Sequence, residues 1–345
     1  MNFVIRNFLQ PQPQLTESSI LVTGGTGSFG KSFVKHLLRN YKPRKVIVFS
    51  RDEQKQFDMS NELRLADHPS LRYFIGDVRD VDRLELAMRG IDIVVHAAAM
   101  KHVPIAEYNP FECVRTNIHG AENVVTAAIR TGVKKVVALS TDKASNPVNL
   151  YGATKLASDK IFIAANNLSG IDGPSFAAVR YGNVVGSRGS VLPFFRNLIA
   201  RGTDHLPITD PEMTRFWITI DQGVAFVLSS MALMQGGEIF VPKIPSMRVV
   251  DLARVIAPKL PQRIIGIRVG ERLHETMISE DDARSTVEIA DRYIILPHGL
   301  SSPGGAVEKY GPKPVATAFR YSSQSNSEWL DEAGMQRLIE ATPHV

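Results

Sequence analysis

The chain has 345 residues, 44% hydrophobic and 22% charged, which is enough apolar material for a large α/β unit carrying a smaller appended one. A single cysteine, Cys113, excludes internal disulfides and cysteine-based metal clusters and fits a reducing compartment. The net charge of +5 is spread without a basic run, which speaks against nucleic acid as a partner and suits an enzyme of polyanionic ligands.

Residues 1–18, MNFVIRNFLQPQPQLTES, hold only short apolar pieces broken by Arg6 and Asn7, then a Pro/Gln stretch. A signal peptide needs a continuous apolar region of roughly 7–15 residues and a spanning helix about 18, so this segment is expected to be a tail on a cytoplasmic protein without membrane insertion. From Ser19 short apolar runs alternate with longer helical patterns. SILVTG (19–24), KVIVFS (45–50), LRYFIGD (71–77), IDIVVHAA (91–98), KKVVALST (134–141) and FAAVRYGNV (176–184) predict six buried strands. Near-continuous Val/Ile/Leu/Ala content is what a parallel sheet covered on both faces requires. The segments 109–131 and 149–168 are long enough for crossover helices. Repeated βα units give a right-handed, doubly wound, Rossmann-type α/β sheet.

After Val184 the rhythm changes. GEIFVP (237–242) predicts a further strand returning to the sheet, while VVDLARVIA, IIGIRVG, GERLHETMI and DRYIILP are shorter elements. The predicted division is a dinucleotide-binding domain of residues 19–185 and 217–242 and a smaller α/β substrate domain of residues 186–216 and 243–345. The Gly/Pro/Ser-rich stretch 298–318 is expected to be a surface loop.

The first strand runs into Gly24-Gly25-Thr26-Gly27-Ser28-Phe29-Gly30, followed by a helical pattern. Gly25, Gly27 and Gly30 satisfy GxGxxG; Gly24, Gly27 and Gly30 satisfy the related GxxGxxG. Such glycines permit a tight turn, close backbone approach to a pyrophosphate and close helix–strand packing, and the helix N-terminus supplies N–H groups to the anion. A Gly-rich turn is weak by itself; its place between a first strand and a first helix makes it a cofactor loop. The end of the second strand selects the cofactor. An NAD enzyme usually carries Asp or Glu about twenty residues past the glycines, for the ribose 2′-hydroxyl. Here the strand ends Ser50-Arg51, with Asp52 next and Lys55 close by. Ser50 and Arg51 suit a 2′-phosphate, so NADP is expected; a solvated Arg51 with Asp52 binding NAD is the alternative. Asp77-Val78, ending the third strand, is placed to reach the adenine.

Tyr151-Gly-Ala-Thr-Lys155 is a YxxxK whose i, i+4 spacing puts both side chains on one helix face. A lysine ammonium beside the phenol stabilises phenolate, so Tyr151 can act as a base toward an alcohol. A second copy, Tyr41–Lys45, precedes the second strand and is read as accidental. Tyr151 gains weight from Ser140-Thr141-Asp142 at the end of the fifth strand, the edge where doubly wound folds bind ligands; Thr141 can hydrogen-bond the reacting oxygen. Asp142-Lys143 adds an acid and an amine that a simple alcohol dehydrogenase or an epimerase does not need. Elimination of water needs both, with Lys143 as base, provided that neighbouring cations and burial lower its pKa, and Asp142 as acid. The bland alternative is a surface ion pair.

TGGTGSFGKSF, FSRDEQKQ, GDVRD, HAAAMKHVPIAEYNP, TNIHGAENV, STDKASNPVNLYGATK, VRYGNVVGSRGSVLPFF and MTRFWIT resemble the inverting UDP-N-acetylglucosamine 4,6-dehydratases of the extended short-chain dehydrogenase/reductase superfamily. Those enzymes open pseudaminic-acid and related 6-deoxy-sugar pathways. The resemblance spans roughly 19–297 and resumes in YSSQSNSEWL; retaining dehydratases carry Asp-Glu where this chain has Asp142-Lys143. It implies that Tyr151 deprotonates the C4 hydroxyl, Lys143 takes the C5 proton, Asp142 protonates the departing 6-hydroxyl, and C5 is reprotonated from the opposite face. It also implies that Ala98 and Lys101 lie at the cofactor, Lys101 near the substrate as well, that Asn183 and the 189–195 stretch, with Ser190 and Val191, contact the sugar nucleotide, and that the protein is a homo-oligomer, a dimer or a hexamer.

Arg215 and Arg268 are cations embedded in apolar sequence, and a buried arginine needs an anionic partner. The UDP pyrophosphate is one candidate and a structural Asp or Glu the other. His102 and His274 are read as structural histidines, and with no HExxH or Cys pairing no metal is expected. A UDP-sugar 4-epimerase or retaining dehydratase is the rival within enzymes. Outside them the rival is an NADP-sensing regulator, a class that typically loses the Tyr/Lys pair retained here.

Overall fold

The computed structural model describes residues 5–297 and 304–342. The six expected strands form as β1 (Ser19–Thr23), β2 (Lys45–Ser50), β3 (Leu71–Ile75), β4 (Ile93–His96), β5 (Lys135–Thr141) and β6 (Ser175–Tyr181). Between them run α1 (Ser28–Asn40), α2 (Glu53–Glu62), α3 (Val81–Met88), α4 (Val103–Tyr108), α5 (Pro110–Val114), α6 (Gly120–Thr131) and α7 (Leu150–Ala165). Asp52 and Asp80 start α2 and α3 by accepting backbone N–H bonds from Lys55 and Arg83, a standard way to satisfy the first free donors of a helix. The 109–131 stretch is not one helix: a π turn at Arg115–His119 separates α5 from α6.

Beyond β6, Gly182 interrupts the sixth apolar run and β7 (Asn183–Val184) leaves the main sheet. There follow α8 (Val191–Ala200), β8 (Leu206–Ile208), β9 (Thr214–Ile218), α9 (Ile220–Leu233), β10 (Ile239–Pro242), β11 (Ser246–Arg248), α10 (Val249–Ile256), β12 (Gln262–Ile264) and β13 (Thr276–Ile278). The chain closes with α11 (Glu280–Ala283), β14 (Thr286–Glu288), β15 (Arg292–Ile295), α12 (Gly305–Glu308), β16 (Lys313–Pro314), β17 (Tyr321–Ser322) and α13 (Glu332–Glu340).

The main sheet has the order β16-β14-β15-β10-β6-β5-β4-β1-β2-β3. From β10 to β3 all neighbours are parallel, and β15, β14 and β16 continue it antiparallel. DRYIILP, assigned above to the substrate domain, therefore lies in the main sheet as β15, with β14 beside it. The smaller lobe, expected above to hold the substrate, keeps β7-β9-β11, the β8/β12 and β13/β17 pairs, α8, α10 and α13. Residues 298–303 of the expected surface loop lie outside the described residues, and the rest of it carries α12 and β16.

Period-two alternation divides the strands between two cores. Ile20, Val22, Val46 and Val48 face one core with Phe33 of α1 and Phe226 of α9, while Leu21, Ile47 and Phe49 face the other with Val124 of α6 and Phe162 of α7. The strand order reverses between β1 and β4, which opens the ligand crevice at the carboxyl ends of those strands. No helix among the described residues is long and apolar enough to cross a membrane.

The described part of the expected tail is packed against the body. Phe8 is 4% exposed and meets Phe226 edge-on at 5.0 Å between ring centroids; Leu15 is 1% exposed. Arg6 Nη2 donates to Glu328 Oε1 at 2.6 Å. Short apolar pieces too brief for a helix still suffice to fill a hole in the core. Phe8→Ala is accordingly expected to cost about 3 kcal/mol, the low end for a buried phenylalanine, in urea unfolding; a free tail would give a change within about 0.5 kcal/mol.

Candidate functional site

A cleft of about 750 Å³ runs along the carboxyl ends of β1, β2, β4, β5 and β6. One end is the glycine loop: Gly24, Thr26, Gly27, Ser28, Phe29 and Gly30 all line it. Any Cβ at Gly30 would sit 2.5 Å from Gly25 Cα, so the helix can approach the turn only with glycine there. No side chain caps α1 at Gly27, which leaves its first-turn N–H groups open to an anion at the positive end of the helix dipole. These features fit a dinucleotide pyrophosphate. Ser50, Arg51, Asp52, Lys55, Asp77, Val78 and Ala98, all expected at the cofactor, continue the wall together with Phe49. The Ser50 and Thr26 hydroxyls are 2.9 Å apart. Asp52 is engaged with Lys55, whose backbone N–H donates to it at 2.9 Å and whose Nζ lies 2.6 Å away. Arg51 is exposed, and its nearest carboxylate, Asp77, is 3.7 Å away.

The other end gathers Thr141, Lys143, Tyr151 and Lys155 on one wall. Asn149 caps α7 by accepting from Gly152 N–H, which fixes where Tyr151 starts the helix. Gly152 lets α7 press onto the turn at Asp142–Ala144, since a Cβ there would fall 2.3 Å from the Lys143 carbonyl oxygen. Lys155 stands one turn beyond Tyr151 and its Nζ donates to the Leu139 carbonyl at 2.7 Å. Burial pushes Tyr151 up to about 12; the Lys143 charge and hydrogen bonding to Thr141 pull the other way. Lys143 is thus a second cation that favours phenolate, beside Lys155 on the same helix face as Tyr151. The decoy Tyr41 ends α1 outside the cleft, with its hydroxyl donating to Gln12.

Asp142 and Lys143 form no surface pair. Lys143 Nζ lies 3.1 Å from Asp142 Oδ1, 3.2 Å from Glu275 Oε1 and 3.5 Å from Asn183 Oδ1. Asp142 is 1% exposed and Glu275 2%, whereas a quarter (26%) of the Lys143 side chain reaches the cleft. Asp142 therefore sits one layer behind the wall, where Thr141 Oγ1 donates to its Oδ1 at 3.0 Å. Its two hydrogen-bond donors, Thr141 Oγ1 and Lys143 Nζ, both belong to residues of the cleft wall. Burial raises Asp142, and the nearby Glu275 charge adds to the rise. Burial would lower Lys143, but Asp142 and Glu275 outweigh it and hold its amine above the ordinary lysine range. The expectation that cations and burial would lower Lys143 is corrected: two carboxylates flank it, and Arg215 only partly opposes them.

Arg215 takes the structural course of its two alternatives. Its Nε is 3.5 Å from Glu275 Oε1, Nη1 donates to the Thr214 and Leu273 carbonyls, and Nη2 donates to the Arg272 carbonyl and Met213 Sδ. Both terminal nitrogens are spent on protein, and Arg215 does not line the cleft. Arg268 is exposed, 3.2 Å from Glu271, and also off the cleft. Val191 begins α8 and packs inside the substrate lobe, whereas Asn183 and Ser190 line the cleft. Lys101 does too, donating from Nζ to the Arg188 carbonyl at 2.8 Å. His102, expected to be structural, is exposed on the cleft wall against Gly189; His274 is structural, 2.8 Å from Thr214 Oγ1. Sequence reasoning missed Glu275. Its one signal is a carboxylate set directly before the apolar strand Thr276–Ile278.

Residues 20–297 match the family described as Polysaccharide biosynthesis protein. The chain belongs to that family. Within it, the chain is 57% identical over 330 residues, 94% of its length and 98% of the relative's, to the inverting UDP-N-acetylglucosamine 4,6-dehydratase of Campylobacter jejuni. Among solved structures it resembles Pen from Bacillus thuringiensis, with a TM-score of 0.86, 37% identity and coverage of 95% of this chain and 98% of that one. It also resembles a double mutant of DesIV, the dTDP-glucose 4,6-dehydratase of Streptomyces venezuelae with NAD bound, with a TM-score of 0.63, 26% identity and coverage of 74% and 86%. The resemblance to inverting dehydratases and the Rossmann-type fold, both expected from sequence, are borne out.

For this member of the polysaccharide biosynthesis family, Gly30→Ala is expected to weaken dinucleotide binding about tenfold or more, since overpacking a tight site costs ~1–3 kcal/mol. Fluorescence titration with reduced dinucleotide checks it, and unchanged affinity would show that the loop holds no pyrophosphate.

Proposed function

We propose that this chain is an inverting UDP-N-acetylglucosamine 4,6-dehydratase. The observation that carries the reading is the Asp142–Lys143–Glu275 cluster beside Tyr151. Oxidation or 4-epimerisation needs only Tyr151, Lys155 and Thr141; loss of water needs the additional acid and base. The name of the Campylobacter jejuni relative supports the same conclusion.

A nicotinamide dinucleotide held by the glycine loop would take hydride from sugar C4 and return it at C6. The protein moves the protons. Tyr151 accepts the C4 hydroxyl proton, with Thr141 hydrogen-bonding the same oxygen. The resulting ketone acidifies C5. An ammonium cannot accept the C5 proton, so one proton first passes from Lys143 Nζ to Asp142 Oδ1 across 3.1 Å. That leaves a neutral amine and a neutral carboxylic acid, the two forms elimination requires, with the charge of the cluster unchanged. Lys143 then takes the C5 proton and Asp142 gives its proton to the departing 6-hydroxyl. A solvent water gives C5 a proton from the face opposite Lys143, and Tyr151 returns the C4 hydroxyl proton to the hydroxide left behind, which yields the L-arabino 4-keto-6-deoxy product with every protein group restored. Lys101, Asn183 and Ser190 are the cleft residues we assign to the sugar nucleotide.

NMR of the product formed from UDP-N-acetylglucosamine in deuterium oxide tests this reading. The expected product carries deuterium at C5 and the L-arabino configuration; a product keeping the C5 configuration, or a 4-epimer, would sink it. In the same assay Lys143→Ala should lower dehydration by ~10²-fold or more, as for loss of a positioned acid–base group, while reduced nicotinamide accumulates on substrate addition. Near wild-type dehydration by that variant would place the base elsewhere.

We further propose that the dinucleotide is NADP. Arg51 stands exposed at the end of β2, paired only loosely with Asp77 at 3.7 Å, while the Asp52 carboxylate is already committed to α2 and Lys55. Arg51→Ala should weaken NADP binding by about 1.5–3 kcal/mol, the worth of hydrogen bonds to a charged group, and leave NAD binding nearly unchanged in parallel titrations. Equal wild-type affinity for the two would overturn the choice.

A further inference from the structure

Lys143 Nζ has two carboxylates at nearly the same distance, Asp142 at 3.1 Å and Glu275 at 3.2 Å. Either could receive its proton, but only Asp142 touches a cleft-wall hydroxyl, through Thr141. Both carboxylates lie behind the cleft wall with one oxygen buried and unpartnered, Asp142 Oδ2 and Glu275 Oε2, but among the described residues Glu275 has no such hydroxyl link to the wall. A proton delivered there would be stranded away from the leaving hydroxyl. What differs between the two carboxylates is their other neighbours. Glu275 also faces the Arg215 guanidinium, which is 3.5 Å away and fixed by four further hydrogen bonds, and the charge of Arg272. Among the described residues Asp142 contacts no second cation; it faces Lys143, the Thr141 hydroxyl and the negative charge of Glu275. Tyr151 and Lys101 complete the charged surroundings of Lys143.

We propose that Glu275 is a positioning residue: it stays ionised, holds the Lys143 amine at the cleft wall, and thereby directs the Lys143 proton to Asp142. The step breaks one Nζ–H bond and forms one carboxyl O–H bond on Asp142, and it needs no co-reactant. The pKa directions agree. Burial raises both carboxyls, yet at Glu275 Lys143 and Arg215 outweigh it, whereas at Asp142 Lys143 does not. The two carboxylates come from different parts of the molecule, Asp142 from the end of β5 and Glu275 from the residue before β13. The substrate lobe therefore supplies the charge that sorts the protons.

The inference rests on the dehydratase reading, but its first test does not use substrate. Infrared difference spectra between wild type and Asp142→Asn, recorded across a pH titration, isolate the Asp142 carboxyl. Its protonation midpoint is expected above the ordinary carboxylate range, to fall in Glu275→Gln, and to stay raised in Glu275→Asp. If the raised band survives in Asp142→Asn, the proton belongs to Glu275 and the proposal falls, even should Glu275→Gln fail to fold. An unmoved midpoint in folded Glu275→Gln overturns it equally. With UDP-N-acetylglucosamine, Glu275→Gln should lower kcat about tenfold or more, as loss of support behind a reacting group does, with KM nearly unchanged because Glu275 does not line the cleft. Its alkaline limb in the kcat profile should move to lower pH, because Asp142 then loses its proton more readily, and Glu275→Asp should restore part of the rate. A kcat loss with an unmoved pH profile would make Glu275 merely structural. Wild type without activity on this sugar nucleotide would refute the substrate reading and leave the infrared result standing.

Discussion

Lys143 is a cation that the fold does not leave to water. Burying an ammonium costs several kcal/mol unless anions repay it, and here the repayment comes from two directions: Asp142 at the end of a central parallel strand and Glu275 from the opposite lobe. Most of the site follows from that. The turn at Asp142–Ala144 must be held against α7, which Gly152 permits, and α7 then carries Tyr151 and Lys155 past the same point. Arg215 is locked beside Glu275 by four hydrogen bonds from its two terminal nitrogens, which keeps its charge facing that carboxylate.

A second buried ion pair does the same work one layer deeper. Arg180 of β6 is 2% exposed; its Nη2 donates to Asp159 of α7 at 3.2 Å and its Nη1 to the Met277 carbonyl of β13 at 2.8 Å. Asp159 also accepts from the Ser140 hydroxyl at 2.7 Å. One guanidinium therefore ties the helix that bears Tyr151 to the strand that follows Glu275. Because breaking a buried pair leaves an uncompensated charge worth about 3–5 kcal/mol, the spacing between these two elements is stiff, and the distances around Lys143 inherit that stiffness.

The parallel half of the fold was legible because buried strands write themselves as apolar runs and because a glycine loop between strand and helix has few other uses. β14 and β15 were not, since DRYIILP is a short apolar run that says nothing about which sheet it joins. The N-terminal segment misled for a related reason: Phe8 and Leu15 are single apolar residues without periodicity, yet each is nearly fully buried. At the site, Tyr151, Lys143 and the cofactor-loop residues were legible from spacing within one segment. Glu275 was not, because its meaning depends on a partner 132 positions earlier in the chain. Arg215 showed the reverse fault, where embedding in apolar sequence signalled burial correctly but could not tell a ligand anion from a protein one.

Placing the proton-transfer groups at the seam between lobes has a chemical consequence that neither lobe has alone. In the low effective dielectric behind the cleft wall, charges a few ångströms apart interact far more strongly than in water. The order in which the two carboxyls give up protons is then set by which has more cations beside it, not by their ordinary pKa values. Glu275, with two arginines and a lysine beside it, is the harder of the two to protonate, and Asp142, with a shared lysine and a neighbouring anion, the easier. A site that lacked the second carboxylate would leave Asp142 as the sole counter-ion of Lys143, with its own carboxyl the easier to ionise, because Glu275 both anchors the ammonium and raises Asp142. The second carboxylate thus makes the two acids of the cluster unequal.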